Sequence, residues 1–423
     1  MYSSITSEKV QVTMMVRYEI KKIFSTFSSK IAVFILSCIV VLSSWLAITG
    51  VEWINEQGDP ETGLAAIAKL KEAQNQWEGE LDEEMLRAVI QELQRINATP
   101  EAQSKDYNQN DIAYGWKQGF MPIRDTMNYT YAANFNSYDY YTAERVSAAA
   151  AGDFYTNRTK LLKDYLYNGD GKNAFSEAEK EYLIRKYEEI KTPFYYDYAE
   201  GWSQLLYNSP TVIMIGALIL GYLVAGIFSN EFKWKSDSIF FTSVHGRKKA
   251  TASKIKAGFF VITTLYWAAI IIYTLVTLCV LGFEGANCPL QLGLLWKCPY
   301  NLTLWETYLL ATVGGYIGNL FFAFLTMWVS AKTRSGIFAV TVPFILIFLP
   351  TFLDNLGIES LSNLVGLFPD QLLQVYQVIR YFRVYEVFGT VFSAMSVVPV
   401  LYAILSAALV PVMYREFRTK QIG

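Results

Sequence analysis

Six long apolar runs with almost no charge recur along the chain and predict six membrane-spanning helices. A spanning helix needs about 20 mostly apolar residues, because the hydrocarbon core of a bilayer is about 30 Å thick. The fifth run is the shortest and contains two prolines, so it is predicted to be kinked or to cross incompletely. The runs lie at 31–48, 211–228, 257–282, 308–331, 337–353 and 391–413.

Lysine and arginine flank these runs unevenly, and their distribution predicts the orientation of the chain. With six crossings, four basic stretches fall on one side, namely 9–30, 233–256, 332–334 and 415–420. Basic residues near helix ends are enriched on the cytoplasmic side. Both termini are therefore expected to be cytoplasmic, and the protein is expected to be a multi-pass protein of the plasma membrane.

A polar stretch of normal domain size separates the first two runs. Residues 52–206 contain 27 acidic and 16 basic residues, a net charge of −11, whereas the rest of the chain carries +9. These two parts are expected to face different compartments. The spacing of Leu86, Val89, Ile90 and Leu93 predicts an amphipathic helix, and the sequence 176–179 matches a capping box. The stretch is predicted to be a mainly helical extracellular domain with an irregular centre.

The fold class predicted is an all-α membrane protein with six transmembrane helices, cytoplasmic N- and C-termini, and a mainly helical extracellular domain inserted between helices 1 and 2. Short apolar stretches on both sides of Pro369 predict a pair of short helices in or near the outer leaflet. The predicted parts are an interfacial cytoplasmic helix at 1–30, transmembrane helix 1 at 31–50, the extracellular domain at 51–208, and transmembrane helices 2–6 at 209–423, with a cytoplasmic loop at 230–256 and an extracellular re-entrant-like segment at 354–390.

Residues that could carry chemistry are sparse in this chain. It has one histidine and four cysteines, and it lacks the sequence motifs of a nucleotide-binding P-loop, a zinc protease or a paired-cysteine metal site. We expect no catalytic residue and no metal site. Cys38 and Cys279 lie in apolar runs and are expected to be buried. Cys288 and Cys298 lie ten residues apart in a polar connection, where a disulfide forms only if that loop faces an oxidising compartment.

The fourth run carries small residues at a spacing that favours close helix packing. Gly314 and Gly318 lie four residues apart, so they fall on one face of a helix and let a neighbour approach closely. The apolar runs themselves contain no ionisable residue of the kind that marks ion or proton paths. This pattern favours a packed bundle over an autonomous ion-coupled transporter.

Three features together resemble the type-2 ABC exporter permeases, the membrane subunits of ABC transporters. Residues 14–24 alternate apolar and charged side chains just before the first run. Residues 230–249 contain a glutamate, a short aromatic amphipathic stretch and an arginine, followed by a lysine at the start of the third helix. The third feature is the six-span layout itself. The family's usual glycine after the glutamate is missing here, and the large domain resembles the branch with an enlarged extracellular domain between the first and second helices.

The resemblance implies a transport subunit that is not itself an enzyme and binds no cofactor, with ATP and Mg²⁺ held by the partner ATPase. It implies two cytoplasmic ABC ATPase subunits, a second copy or homologous permease, and membrane lipid as partners, and no nucleic acid. The substrate expected is a peptide, a lipid or a drug-like molecule, exported across the membrane. Residues 231–244 would form the coupling helix within a coupling loop at 230–256. The ATPase-coupling residues implied are Glu231, Phe232, Trp234, Asp237, Phe240, Phe241, Arg247 and Lys254.

A different class of function also fits the sequence. The chain could be a membrane-anchored receptor or scaffold whose extracellular domain binds a peptide or a component of the cell envelope. Such a protein needs neither six spans nor an aromatic cytoplasmic loop. An intramembrane enzyme ranks lowest, because the sequence offers no candidate catalytic residues.

Overall fold

The chain is mostly helical, and six helices among the described residues are long and apolar enough to cross a membrane. The structure is a computed structural model that describes residues 2–243, 245–354, 363–380 and 382–420. This confirms the prediction of a helical, multi-pass membrane protein. The spans are α2 (Phe27–Thr49), α9 (Glu200–Lys233), α11 (Thr251–Leu281), α12 (Leu304–Thr333), α13 (Gly336–Asp354) and α15 (Ala394–Arg418).

Helices α9 and α12 form the centre of the bundle, and the other spans pack around them. Their backbones approach closely at small and polar residues. The Asn319 amide donates to the Ile213 carbonyl of α9 at 3.2 Å and to the Gly315 carbonyl of its own helix at 2.8 Å. Ser330 Oγ of α12 donates to the Ala225 carbonyl of α9 at 2.5 Å. Hydrogen bonds of this kind hold membrane helices together, since lipid supplies no hydrophobic drive between them.

The N-terminal helix α1 (Tyr2–Ile23) packs against α11 and α9 before the chain enters the first span. A three-residue break separates α1 from α2. Thr26 caps α2, because its side chain accepts a hydrogen bond from the Ser29 amide at 3.2 Å. The basic end of the bundle is defined here as the end that carries α1, the α9–α11 loop, the α12–α13 turn and the last turn of α15.

The domain between α2 and α9 contains six α-helices, and its buried apolar residues fall into more than one cluster. The predicted capping box at Ser176 and Glu179 is present, and the amphipathic helix predicted around Leu86 buries the expected face. Among the described residues, three two-stranded antiparallel sheets depart from an all-helical fold, two in this domain and one just before α15. The helices are α3 (Leu64–Asn75), α4 (Glu83–Asn97), α5 (Tyr107–Gly115), α6 (Met121–Thr130), α7 (Phe154–Tyr167) and α8 (Glu177–Glu188). The strand pairs are Glu52–Ile54 with Pro60–Thr62, Gly79–Glu80 with Tyr195–Tyr196, and Val384–Val387 with Thr390–Ser393.

The inserted domain rests on two connections of the membrane bundle. Buried Arg158 donates to the carbonyls of Trp296 and Cys298 in the α11–α12 loop, and Tyr187 donates to the Lys297 carbonyl at 2.6 Å. The strand pair Val384–Val387 and Thr390–Ser393 packs on α8. The segments between spans therefore form the base on which the domain sits.

Besides the helical residues 363–365, the described part of the segment predicted as re-entrant-like contains two further short helical stretches. One is a 3₁₀ turn at Pro369–Leu373, and the other is α14 (Val375–Val378). Both pack on α12. Residues 355–362 of this segment lie outside the described residues.

Candidate functional site

The loop between α9 and α11 folds into a compact corner at the basic end of the bundle. Helix α9 ends at Lys233, and the short helix α10 (Asp237–Thr242) follows a turn. A π-helical turn at Gly246–Ala250 then leads into α11. A Cβ atom at Gly246 would lie 1.6 Å from the Phe240 carbonyl oxygen, so only glycine allows the chain to fold back against α10.

Four charged side chains from three helices form a buried ion-pair network beneath this corner. The Lys254 ammonium lies 2.9 Å from a Glu19 oxygen and 2.7 Å from a Glu231 oxygen. Lys22 also pairs with Glu231, whose second oxygen accepts a hydrogen bond from Ser236 Oγ at 2.7 Å. The side chain of Lys254 is 0% exposed and that of Glu231 is 5% exposed.

The network is balanced in charge. This balance allows it to be buried, because each charge has a partner of opposite sign that offsets the loss of water. Two carboxylates face two ammonium groups, so the net charge is zero. Removing one member of a buried pair costs about 3–5 kcal/mol, because the remaining charge is left without a partner in a poorly solvated place. The network therefore fastens α1, the end of α9 and the start of α11 to one another.

An aromatic cluster fixes α10 to the last span. Phe417 of α15 is 0% exposed and lies with its ring centroid 5.5 Å from Phe240, 5.2 Å from Phe241 and 6.1 Å from Phe232. Phe228 of α9 completes the cluster at 4.5 Å from Phe417. Burial of aromatic rings in such edge and tilted contacts is a main source of packing energy.

Arg247 ties the C-terminal tail to the same corner. Its guanidinium donates to the Phe241 carbonyl at 3.2 Å and to the carbonyls of Arg418 at 3.0 Å and Lys420 at 2.9 Å. It also lies over the Phe241 ring at 4.9 Å. One residue of the π-helical turn thus bonds both α10 and the end of α15.

Two large apolar side chains of the corner are left facing outward. Trp234 is 47% exposed and Ile239 is 74% exposed, and Lys22 lies over the Trp234 ring at 5.0 Å. Asp237 is half-buried at the start of α10. We call the exposed surface of Trp234 and Ile239 the apolar platform.

The eight residues that the resemblance assigned to coupling thus divide into two groups. Glu231, Lys254, Phe232, Phe240, Phe241 and Arg247 hold the corner together through contacts inside the chain. Trp234 and Asp237 remain accessible to a partner, Asp237 in part. Sequence reasoning missed Glu19, Lys22 and Phe417, whose partners lie more than 170 residues away along the chain, so no local pattern pointed to them.

The two glycines of α12 lie where the short helical stretches pack. A Cβ at Gly318 would meet the side chains of Leu372 and Leu373 at 3.0 Å, and one at Gly314 would meet Val375 at 2.8 Å. We call Gly314 and Gly318 the glycine stripe of α12. The elements that pack against the glycine stripe are therefore the 3₁₀ turn and α14, rather than another span.

Two of the four cysteines depart from expectation. Cys38 and Cys279 are exposed rather than buried, because a span facing lipid accepts a thiol as readily as a protein core does. Cys288 and Cys298 are buried free thiols, so the disulfide that their spacing permits is not formed in the structure. The Cys288 thiol instead faces the Asp197 carbonyl at 3.8 Å, while Cys298 lies beside Arg158. Burial raises the pKa of both thiols to about 12.

Groups that could bind a metal ion do not converge in the described part of the chain. No set of three or more histidine, cysteine, aspartate or glutamate side chains lies together there. The corner instead combines an anchored helix, a buried ionic base and an exposed apolar platform. Comparisons with protein-family models, with curated proteins and with solved structures found no match for this chain.

Proposed function

We propose that this chain is the permease subunit of an ATP-driven ABC exporter, and that α10 is its coupling helix for a separate cytoplasmic ATPase. The observation that supports this is the apolar platform, formed by Ile239 of α10 and by Trp234 in the turn before it, next to the aromatic cluster that fixes α10 to α9 and α15. Exposed apolar side chains rimmed by polar residues are typical of protein–protein contact sites. Membrane anchoring alone explains the basic residues of this loop but not its platform.

The corner is suited to transmit a push from the partner to the bundle. Helix α10 packs against α9 and α15 through the aromatic cluster, and the ion-pair network joins α9 to α11 and α1. Closure of two ATPases on ATP would press on α10, and the attached spans would move with it. Two such chains, or this chain and a homologous one, would then open a path for a peptide, a lipid or a drug-like molecule by alternating access.

Co-purification from the native membrane tests the proposal. Tagged wild-type protein in a mild detergent is expected to bring down an ATPase, and the Ile239→Asp variant is expected to lose it. Ile239 is 74% exposed, so the change removes an apolar contact and places a charge in the interface without disturbing the core. The readouts are the ATPase activity and the polypeptides of the eluate.

The matched control is Tyr107→Asp, which places the same charge at an 86% exposed apolar position of the inserted domain. It should retain the ATPase. Equal thermal unfolding midpoints for the three proteins would show that the loss is not a folding defect. If wild-type protein brings down no ATPase under these conditions, the proposal fails and a receptor or scaffold role takes its place.

A further inference from the structure

A cavity of about 700 Å³ opens at the basic end, beside the corner described above but on the side of α13. It lies between the α1–α2 break, the last turns of α9 and the α12–α13 turn. Because α2 and α13 are spans that begin here, the cavity lies where the bilayer interface meets the bundle. None of the residues assigned to ATPase coupling lines it.

The lining of the cavity carries an excess of positive charge. Its one carboxylate, Glu19, is paired with Lys254, and Lys22 is paired with Glu231. Lys233 and Arg334 are two further cations among the residues that line it. Lys233 is exposed and makes no ion pair within the described residues. The Arg334 guanidinium lies over the Phe232 ring at 4.6 Å.

Two helix N-termini add to this field. Helix α2 begins at Phe27 and α13 begins at Gly336, and residues of both first turns line the cavity. First-turn N–H groups have no intrahelical partner and carry partial positive charge. Acidic residues usually compensate that charge, yet neither first turn contains one. Hydroxyl groups of Thr26, Ser28 and Ser335 stand beside them.

The other wall of the cavity is apolar and is made by spans. Leu223 and Ile227 of α9 line it together with Ile337 and Val340 of α13. The cavity is thus cationic and rich in hydroxyl groups at one end, and apolar at the end that leads along the spans. A free inorganic anion would use only the first of these surfaces.

We propose that this cavity binds one anionic phospholipid from the leaflet at the basic end, with the phosphate near Lys233 and Arg334 and an acyl chain along the α9–α13 wall. The lining matches such a lipid in charge, hydrogen-bond donors and apolar surface. Positive groups next to a membrane favour anionic lipids by electrostatic attraction. The proposal does not depend on the transport function.

Native mass spectrometry of the purified full chain in a nonionic detergent tests this, with phosphatidylglycerol, phosphatidylcholine and glycerol phosphate as probes. Wild type is expected to retain phosphatidylglycerol most strongly, and the Lys233→Gln/Arg334→Gln variant to bind it about tenfold more weakly. Lys233→Gln alone removes the charge of an exposed side chain and is expected to lower binding about threefold with the fold intact.

Lys248→Gln/Lys256→Gln is the matched control, because it removes two exposed positive charges at the same end outside the cavity. It should bind the lipid as wild type does. An equal loss in this control would overturn the proposal in favour of general surface charge. Equal binding of phosphatidylcholine, or binding of glycerol phosphate as strong as that of the lipid, would also overturn it.

Discussion

Lys254 lies at the centre of the buried ion-pair network. Its ammonium is fully buried and lies between Glu19 and Glu231. We expect Lys254→Met to lower the free energy of unfolding by about 3–5 kcal/mol, because it leaves two buried carboxylates sharing one remaining cation, Lys22. The measurement is the thermal unfolding midpoint in detergent. Lys256→Met, at an exposed position two residues along the same helix, is the control and should leave the midpoint nearly unchanged.

A partial rescue would distinguish lost charge balance from lost packing. Adding Glu231→Gln to Lys254→Met removes one of the two carboxylates, so the double variant should be more stable than Lys254→Met alone. If the two substitutions instead lower the free energy of unfolding additively, charge balance is not what stabilises the network.

Asp370 is a second residue whose burial has a measurable consequence. It is 3% exposed, and burial raises its pKa from 3.8 to about 7 although the Gln371 amide donates to it. The folded protein therefore holds a proton that the unfolded chain has already released. The contribution of Asp370 to stability should be greatest below about pH 4, fall as the pH rises to about 7, and then level off.

Asp370→Asn tests this pH dependence, because the amide is neutral at every pH. We expect the variant to be more stable than wild type by a few kcal/mol at pH 8, and its unfolding midpoint to vary less between pH 4 and pH 8. Identical pH profiles for the two proteins would show that Asp370 does not titrate in this range.

At the scale of elements, the glycine stripe of α12 determines how the 3₁₀ turn at Pro369–Leu373 packs. We expect Gly318→Val to cost about 1–3 kcal/mol, since the added side chain overlaps Leu372 and Leu373 in a close-packed contact. Val313→Leu, at a 40% exposed position of α12, is the control and should be tolerated. Thermal unfolding in detergent compares the two variants, and equal midpoints would contradict the packing described.

Elements were predicted well from sequence where their signals are local. The capping box at Ser176 and the buried face of α4 were both found, because capping and helical periodicity act within a few residues. The burial of Cys38 and Cys279 was predicted wrongly. An apolar run cannot tell a face packed on protein from one packed on lipid, since both environments favour the same side chains.

At the scale of the molecule, the positive-inside pattern makes a prediction about sidedness that labelling in cells can check. We expect an impermeant maleimide to label Tyr107→Cys in intact cells and His245→Cys only after permeabilisation, with the four native cysteines replaced by alanine. Both positions are exposed, and α9 lies between them. Labelling of both in intact cells, or the reverse order, would contradict the predicted orientation.

The sequence by itself determined the number of spans, the existence and size of the inserted domain, and the charge asymmetry between the two ends. These follow from hydropathy and composition, which need no knowledge of distant contacts. Only the tertiary structure decided which residues of the α9–α11 loop are internal and which face outward. It also brought together Glu19, Glu231 and Lys254, and Phe417 with the phenylalanines of α10. Those pairings join residues far apart in the chain, and their energy comes from burial that exists only once the helices have packed.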